Sequence, residues 1–172
     1  MMRLAVTGPE SSGKTQLAME LSRRLAIPWV PEYAREYLEH LGRDYTFDDV
    51  TKIARAQWQA VENTLLVHEA MIADTELLVT AIWQEVRFSQ VDPWINDNIK
   101  NQPFDLYLLC TPDIPWEFDP LREHPEMREA LFLIYQERLR LLELPFVVVD
   151  GMGESRYQKA LNGIARHLVL QQ

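Results

Sequence analysis

The sequence predicts an α/β fold, a five-stranded parallel sheet flanked by helices. Two observations carry that reading. Five short apolar runs, around residues 4–7, 28–31, 70–74, 105–110 and 145–150, alternate with stretches whose apolar residues recur at helical spacing, a pattern that calls for parallel pairing through right-handed crossovers. Glycine is scarce, six among 172 residues, and four of the six fall in two clusters that each follow an apolar run: Gly8 with Gly13, and Gly151 with Gly153. A chain of this length buries roughly 70% of its unfolded surface around one core. No linker, repeat or low-complexity segment divides it, so residues 1–172 are read as a single domain.

Each element follows from local chemistry. Leu4-Ala5-Val6-Thr7, stopped by Gly8-Pro9, reads as a buried first strand. Leu17, Ala18, Leu21 and Leu25 then recur at helical spacing with Glu20, Arg23 and Arg24 between them, an amphipathic helix reaching Ala26. Pro28-Trp29-Val30-Pro31 is extended, because a residue before proline avoids the α region, and supplies a short second strand. Tyr33 to Leu41 reads as a helix ended by Gly42. Thr46-Phe47-Asp48-Asp49 forms a capping-box pattern ahead of Val50, Ile53, Ala54, Gln57, Val61 and Leu65, a long helix extending to Val67. Ala70 to Ala73 is a third strand that leads into Asp74-Thr75-Glu76, and a helix follows over Leu77–Ser89. Asp105–Cys110 and the β-branched Pro145–Asp150 are the fourth and fifth strands. Four of the ten prolines lie within 112–125, and helices over Met127–Leu142 and Glu154–Leu168 complete the chain.

Composition narrows the function. Lys and Arg number 17 against 26 Asp and Glu, a formal charge of −9, and no basic patch stands out. That argues against an extended nucleic-acid partner. No segment approaches the ~18 consecutive apolar residues of a membrane span, and the first apolar run lacks the form of a cleavable signal. The lone Cys110 closes no intramolecular disulfide and suits a reducing compartment. These features predict a soluble cytoplasmic protein. His40, His68, His124 and His167 show no metal-ligand spacing, while Cys110, Trp58 and Trp83 read as core residues.

Gly8-Pro9-Glu10-Ser11-Ser12-Gly13-Lys14-Thr15 matches G-x-x-x-x-G-K-[ST] at every fixed position, after a predicted strand and at the start of a predicted helix. This is the phosphate loop of the P-loop NTPase fold. The two glycines let backbone N–H groups turn inward around phosphate oxygens, and the helix starting near Lys14 adds its positive end. Lys14 reaches the β- and γ-phosphates, and the Thr15 hydroxyl suits a Mg²⁺ ligand. ATP is the expected nucleotide, because Cys110-Thr111-Pro112-Asp113 after the fourth strand lacks the Asn-Lys-x-Asp element that selects guanine. Motors usually belong to larger domains with oligomeric partners. A small-molecule kinase, nucleoside- or nucleotide-kinase-like, is therefore the leading class.

Asp74 ends the third strand, where a second Mg²⁺-side carboxylate of a P-loop enzyme belongs; it can hold the ion through water or take the acceptor hydroxyl's proton. Glu32 and Arg35 follow the second strand, on the rim where open α/β sheets bind ligands. A carboxylate accepts two hydrogen bonds from vicinal ribose hydroxyls, and Arg35 can anchor Glu32 or a phosphate. Arg122 and Arg128 stand in and beside the proline-rich segment, with Trp116 and Phe118. A lid over about residues 112–130, with Arg122 as its preferred cation, would close over the phosphates and neutralise charge during transfer. Gly151-Met152-Gly153 can bring backbone to an adenine edge, with Arg156 stacking on the base. For each of these residues the plainer alternative is a helix cap, an ion-paired helix face or an ordinary turn.

Taken in order, GPESSGKT, PEYAREY, Gln57, ADTELLVT, DLYLLCTPDIPWEFDPLRE and the Arg156 region resemble the ribosylnicotinamide kinase domain of the NadR type over most of the chain. The first element is common to many P-loop proteins; the E-Y-x-R-E, D-T-[DE] and D-x-L-R elements are much more specific. The resemblance implies ATP- and Mg²⁺-dependent phosphorylation of the ribose 5′-hydroxyl of nicotinamide riboside, giving nicotinamide mononucleotide. It implies Glu32, Tyr33 and Arg35 near the riboside, Asp74 at the acceptor hydroxyl or the ion, and Arg122 in the lid. Pro31 stands where family members can carry an aromatic residue that stacks on the pyridinium ring, which leaves Trp29, Trp58 or Trp116 as substitutes. Glu76 and Pro120 occupy variable positions of the D-T-D and D-G-L-R patterns. Better-known members join this domain to an adenylyltransferase, for which these 172 residues show no counterpart. Two alternatives stay open: a kinase for another nucleoside or nucleoside monophosphate, and a non-enzymatic ATP-binding regulator.

Overall fold

The apolar run at the N-terminus becomes the central strand of the sheet. In the computed structural model, which describes residues 2–116 and 125–170, β1 (Arg3–Thr7) lies between β3 (Met71–Asp74) and β4 (Leu106–Cys110), with β2 (Trp29–Val30) and β5 (Phe146–Val149) at the edges. All four pairings are parallel, in the order β2-β3-β1-β4-β5. Strands buried on both faces read as unbroken apolar runs rather than alternating ones, which is why Leu4–Val6 and Leu106–Cys110 were visible as strands.

Side-chain alternation along β1 and β4 sorts the helices into two layers. Leu4, Val6, Leu106, Leu108 and Cys110 pack with Leu17, Ala18 and Leu21 of α1 (Lys14–Leu25) and with Ala160 and Ile164 of α7 (Gly153–Leu170). Ala5, Tyr107 and Leu109 face the other way. They meet Leu78 and Ile82 of α4 (Leu77–Phe88) and Leu131, Tyr135 and Leu139 of α6 (Arg128–Leu141). On the β2 side of that face, α3 (Phe47–Leu65) places Val61 with Val30, Met71 and Ala73. Gly163 lets α7 approach β5 closely, because a Cβ there would come within 2.6 Å of Val147 Cγ1.

The predicted elements are present with shifted ends. The Thr46–Asp49 capping box forms in full at the start of α3, and Gly42 ends α2 (Tyr33–Leu41) in the left-handed conformation. The second strand contracts to two residues. An unanticipated short helix, α5 (Pro93–Asn98), begins with Pro93 in its first turn and with Asp92 Oδ1 accepting from Trp94 N at 2.8 Å. No helix among the described residues is long and apolar enough to cross a membrane.

This layering positions the site. The helices that follow the neighbouring strands β1 and β3 run onto opposite faces of the sheet, so their N-terminal ends diverge at the carboxyl edge and open a crevice there.

Candidate active site

The phosphate loop occupies that crevice between β1 and α1. Gly8, with φ +131°, passes so close to β4 that a Cβ would sit 2.8 Å from the Cys110 carbonyl oxygen, so only glycine fits. Ser11 and Gly13 both take positive φ, 50° and 73°. The loop is braced internally: Ser12 Oγ donates to the Pro9 carbonyl at 2.7 Å and Lys14 Nζ donates to the same oxygen at 2.8 Å. Gly13 is the N-cap of α1 and has no side chain to cap with, which leaves the first-turn amides to an anion.

From the loop, one cleft of about 550 Å³ runs toward α2 and α4. Residues 8–15 line one end, and Glu32, Arg35, Leu38, Tyr45, Trp83 and Tyr135 are among the side chains lining the rest. Glu32 is the N-cap of α2, yet its carboxylate makes no capping bond to that helix. Arg35 lies 3.8 Å from Glu39. Tyr45 and Trp83 meet edge to face, with ring centroids 5.0 Å apart, and Trp83 Nε1 donates to the Tyr45 hydroxyl at 3.0 Å. The Tyr45 segment is fixed by Asp49, which accepts from the Arg43 guanidinium, the Tyr37 hydroxyl, and the Thr46 N–H and hydroxyl. The Arg43 guanidinium first, then the Thr46 amide and the Tyr37 hydroxyl, hold the Asp49 carboxyl well below the usual range against the effect of burial.

Asp74 lies fully buried beside Thr15 and Glu32, and both of its carboxylate oxygens lack a partner in hydrogen-bond geometry among the described residues. Burial, followed by the nearby Glu32 charge, raises its pKa to about 6, against the pull of the Thr15 hydroxyl, Lys14 and Arg35. A buried carboxylate with no donor, adjacent to a hydroxyl on the phosphate loop, is a donor set that suits Mg²⁺. Among the described residues no three His, Cys, Asp or Glu side chains gather into a metal site. Thr75, φ +69°, turns the chain sharply so that Glu76 points the other way. The Glu76 carboxylate accepts from Thr7 Oγ1 at 2.9 Å, from Leu78 N at 2.6 Å and from Gln102 Nε2 at 3.1 Å, and burial raises its pKa. Gln57 ties the ends of β2 and β3 together: its amide donates to the Pro31 and Asp74 carbonyls, each at 3.3 Å, and accepts from Tyr33 N.

Four expectations need correction or a limit. Tyr33 does not line the cleft; it starts α2 and turns its ring toward Tyr37, 6.1 Å away. Arg156 is only 4% exposed, and its guanidinium is taken up by backbone carbonyls and Asp113, so it presents no face to a base. Trp29 packs against the α1–α7 layer, Trp58 sits edge-on to Trp94 at 5.9 Å, and Trp116 faces Arg128; none of the three lines the cleft. The aromatic wall is instead Tyr45 and Trp83, the latter having been read as core. Arg122 and residues 117–124 of the lid read over about 112–130 lie outside the described residues. Arg128, at the start of α6, donates to the Ser11 carbonyl at 3.2 Å and the Ile114 carbonyl at 2.9 Å.

Residues 3–156 match a family model described as an AAA domain. The chain belongs to the AAA domain family. Within it, this AAA domain protein is similar to the trifunctional NAD biosynthesis/regulator protein NadR of Salmonella typhimurium, 29% identical over 153 residues that cover 85% of this chain and 37% of that protein. The Escherichia coli NadR is 29% identical over 124 residues, 69% of this chain and 30% of that one. The chain thus spans about a third of the length of these curated relatives. Among solved structures, a NadR protein in complex with NR gives a TM-score of 0.78 at 26% identity, over 96% of this chain and 51% of that one. A NadR protein in complex with NAD and AMP-PNP gives 0.79 at 25% identity, over 96% and 49%. A deoxyadenosine kinase from M. mycoides, at 21% identity and a TM-score of 0.66 over 98% and 100%, shares the fold. The architecture of this AAA domain is that of a P-loop nucleoside kinase, as the strand runs and the Gly-Lys-Thr loop predict.

Proposed function

We propose that this protein transfers the γ-phosphoryl group of ATP, with Mg²⁺, to the ribose 5′-hydroxyl of nicotinamide riboside, giving nicotinamide mononucleotide. One observation carries the reading: the phosphate loop and an aromatic-walled chamber share one cleft, and they meet at Thr15 and Glu32 beside the buried Asp74. The likeness to NadR, including a NadR protein bound to NR, supports the choice of acceptor.

In this reading the loop amides and Lys14 hold the β- and γ-phosphates, and Lys14 exchanges the Pro9 carbonyl for phosphate oxygen. Thr15 would hold the ion directly, with Asp74 behind it acting through water, and the ion would supply charge neutralisation at the transferring group. Asp74 is buried and does not line the cleft, so Glu32 is the carboxylate that meets the ribose hydroxyls. The faces of Trp83 and Tyr45 suit a cationic pyridinium ring, and the Glu32 and Asp74 charges favour it further. Arg122 is the proposed lid cation. Catalysis then rests on positioning and charge neutralisation rather than on covalent chemistry.

The test is ADP release by purified protein with Mg²⁺–ATP, with and without nicotinamide riboside. The riboside is expected to accelerate release, and Lys14→Ala to abolish it. No acceleration, together with faster turnover on another nucleoside, removes this acceptor and leaves the kinase reading in place.

A further inference from the structure

We propose that Arg156, paired with Asp113, is a positioning residue for the nucleotide: it clamps the phosphate loop to the turns that follow β4 and β5, and so sets the affinity for ATP without touching it. The inference rests on the nucleotide half of the proposed function. A phosphate loop must aim its N–H groups inward, which turns carbonyls outward into the protein, where a buried carbonyl left without a donor is destabilising. Arg156 stands in the first turn of α7, behind the loop. Its Nη2 donates to the Ser12 carbonyl at 2.5 Å, directly before the left-handed Gly13 that starts α1, and to the Thr111 carbonyl at 3.4 Å. Its Nη1 donates to the Gly151 carbonyl at 2.9 Å and to Asp113 Oδ1 at 3.0 Å.

Asp113 completes the clamp. It accepts from Thr111 Oγ1 at 2.7 Å and from the Gly151 N–H, and these donors with Arg156 lower its pKa despite partial burial. One guanidinium and one carboxylate therefore join three segments that come together only at the carboxyl edge of the sheet: the loop after β1, the turn after β4 and the turn after β5. Arginine is required because its rigid fork serves several acceptors in different directions, whereas a lysine ammonium is a compact charge on a flexible stem.

The experiment is titration calorimetry on the full chain with Mg²⁺–ATP and, separately, nicotinamide riboside, comparing wild type with Arg156→Lys and Asp113→Asn. Both variants keep a polar group at the site, and near-ultraviolet circular dichroism checks that each is folded. Arg156→Lys is expected to weaken ATP by about tenfold or more, the loss of one to two charged hydrogen bonds. The riboside is expected to bind as in wild type, since Arg156 contacts neither α2 nor α4. Asp113→Asn weakens ATP less, and the double variant is less than additive. The ATP arm decides the inference: a folded Arg156→Lys protein that binds ATP as wild type does overturns it, as does an equal loss for both ligands. A wild type that binds ATP but does not phosphorylate the riboside fails the acceptor reading alone, and the ATP arm then still supports or overturns the clamp.

Discussion

A carboxylate that is fully buried with both oxygens unpartnered, as Asp74 is, favours its protonated form, and its pKa rises from 3.8 to about 6. The folded chain then binds this proton more tightly than the unfolded chain. The associated stability is fully present below about pH 4 and is lost as pH rises through 6, so the ionised group destabilises the ligand-free fold at pH 8 by about 3 kcal/mol. Asp74→Asn is expected to raise the melting temperature at pH 8, to change it little at pH 4, and to remove phosphoryl transfer while sparing ATP binding. Thermal unfolding at the two pH values, beside an activity assay, checks all three. The acceptor wall has its own variant: Trp83→Ala is expected to raise the riboside KM by about tenfold, the size of a lost aromatic face on a cation, and to leave the ATP KM unchanged. Steady-state kinetics with each substrate varied separately distinguishes the two. That residues 8–15, Glu32 and Arg35 would line one cleft was legible because each follows a strand end closely, whereas the burial of Asp74 behind that cleft was not. Tyr45 and Trp83 were not. Their 38-residue separation is closed only by the packing of α4 against the loop before α3, and no local pattern records that.

Among the elements, the ones read most cleanly are those whose burial leaves a one-dimensional trace. β1, β4 and β5 appear as apolar or β-branched runs, and the start of α3 as its capping box, because strand burial and helix capping are short-range demands. β2 shrank to Trp29–Val30, since proline on either side of a two-residue run cannot donate to a ladder. α5 escaped notice because six residues are too few to show a helical period. The contact of α7 with β5 gives an element-scale prediction. Gly163→Ala gains helix propensity but drives a methyl to 2.6 Å from Val147 Cγ1 on a stiff β-branched side chain. Overpacking is expected to win by about 1–2 kcal/mol. A lower denaturant midpoint at unchanged slope is the expected result, and a higher midpoint contradicts it.

For the whole molecule, a formal charge of −9 does not oppose a phosphate site, because the loop meets its ligand with backbone amides, one lysine and a helix end rather than with bulk charge. The deeper consequence lies in the buried Glu76. The same carboxylate holds Thr7, the last residue before the phosphate loop, and Leu78 N, the first turn of the helix that carries Trp83. Neither half of the cleft can loosen without straining that shared anchor. An anchor common to both halves is expected to couple them, so that under the proposed function nucleotide and acceptor tighten one another by the same factor, whichever arrives first. Under the proposed function, such linkage would have the protein hold ATP most firmly when its phosphate acceptor is present.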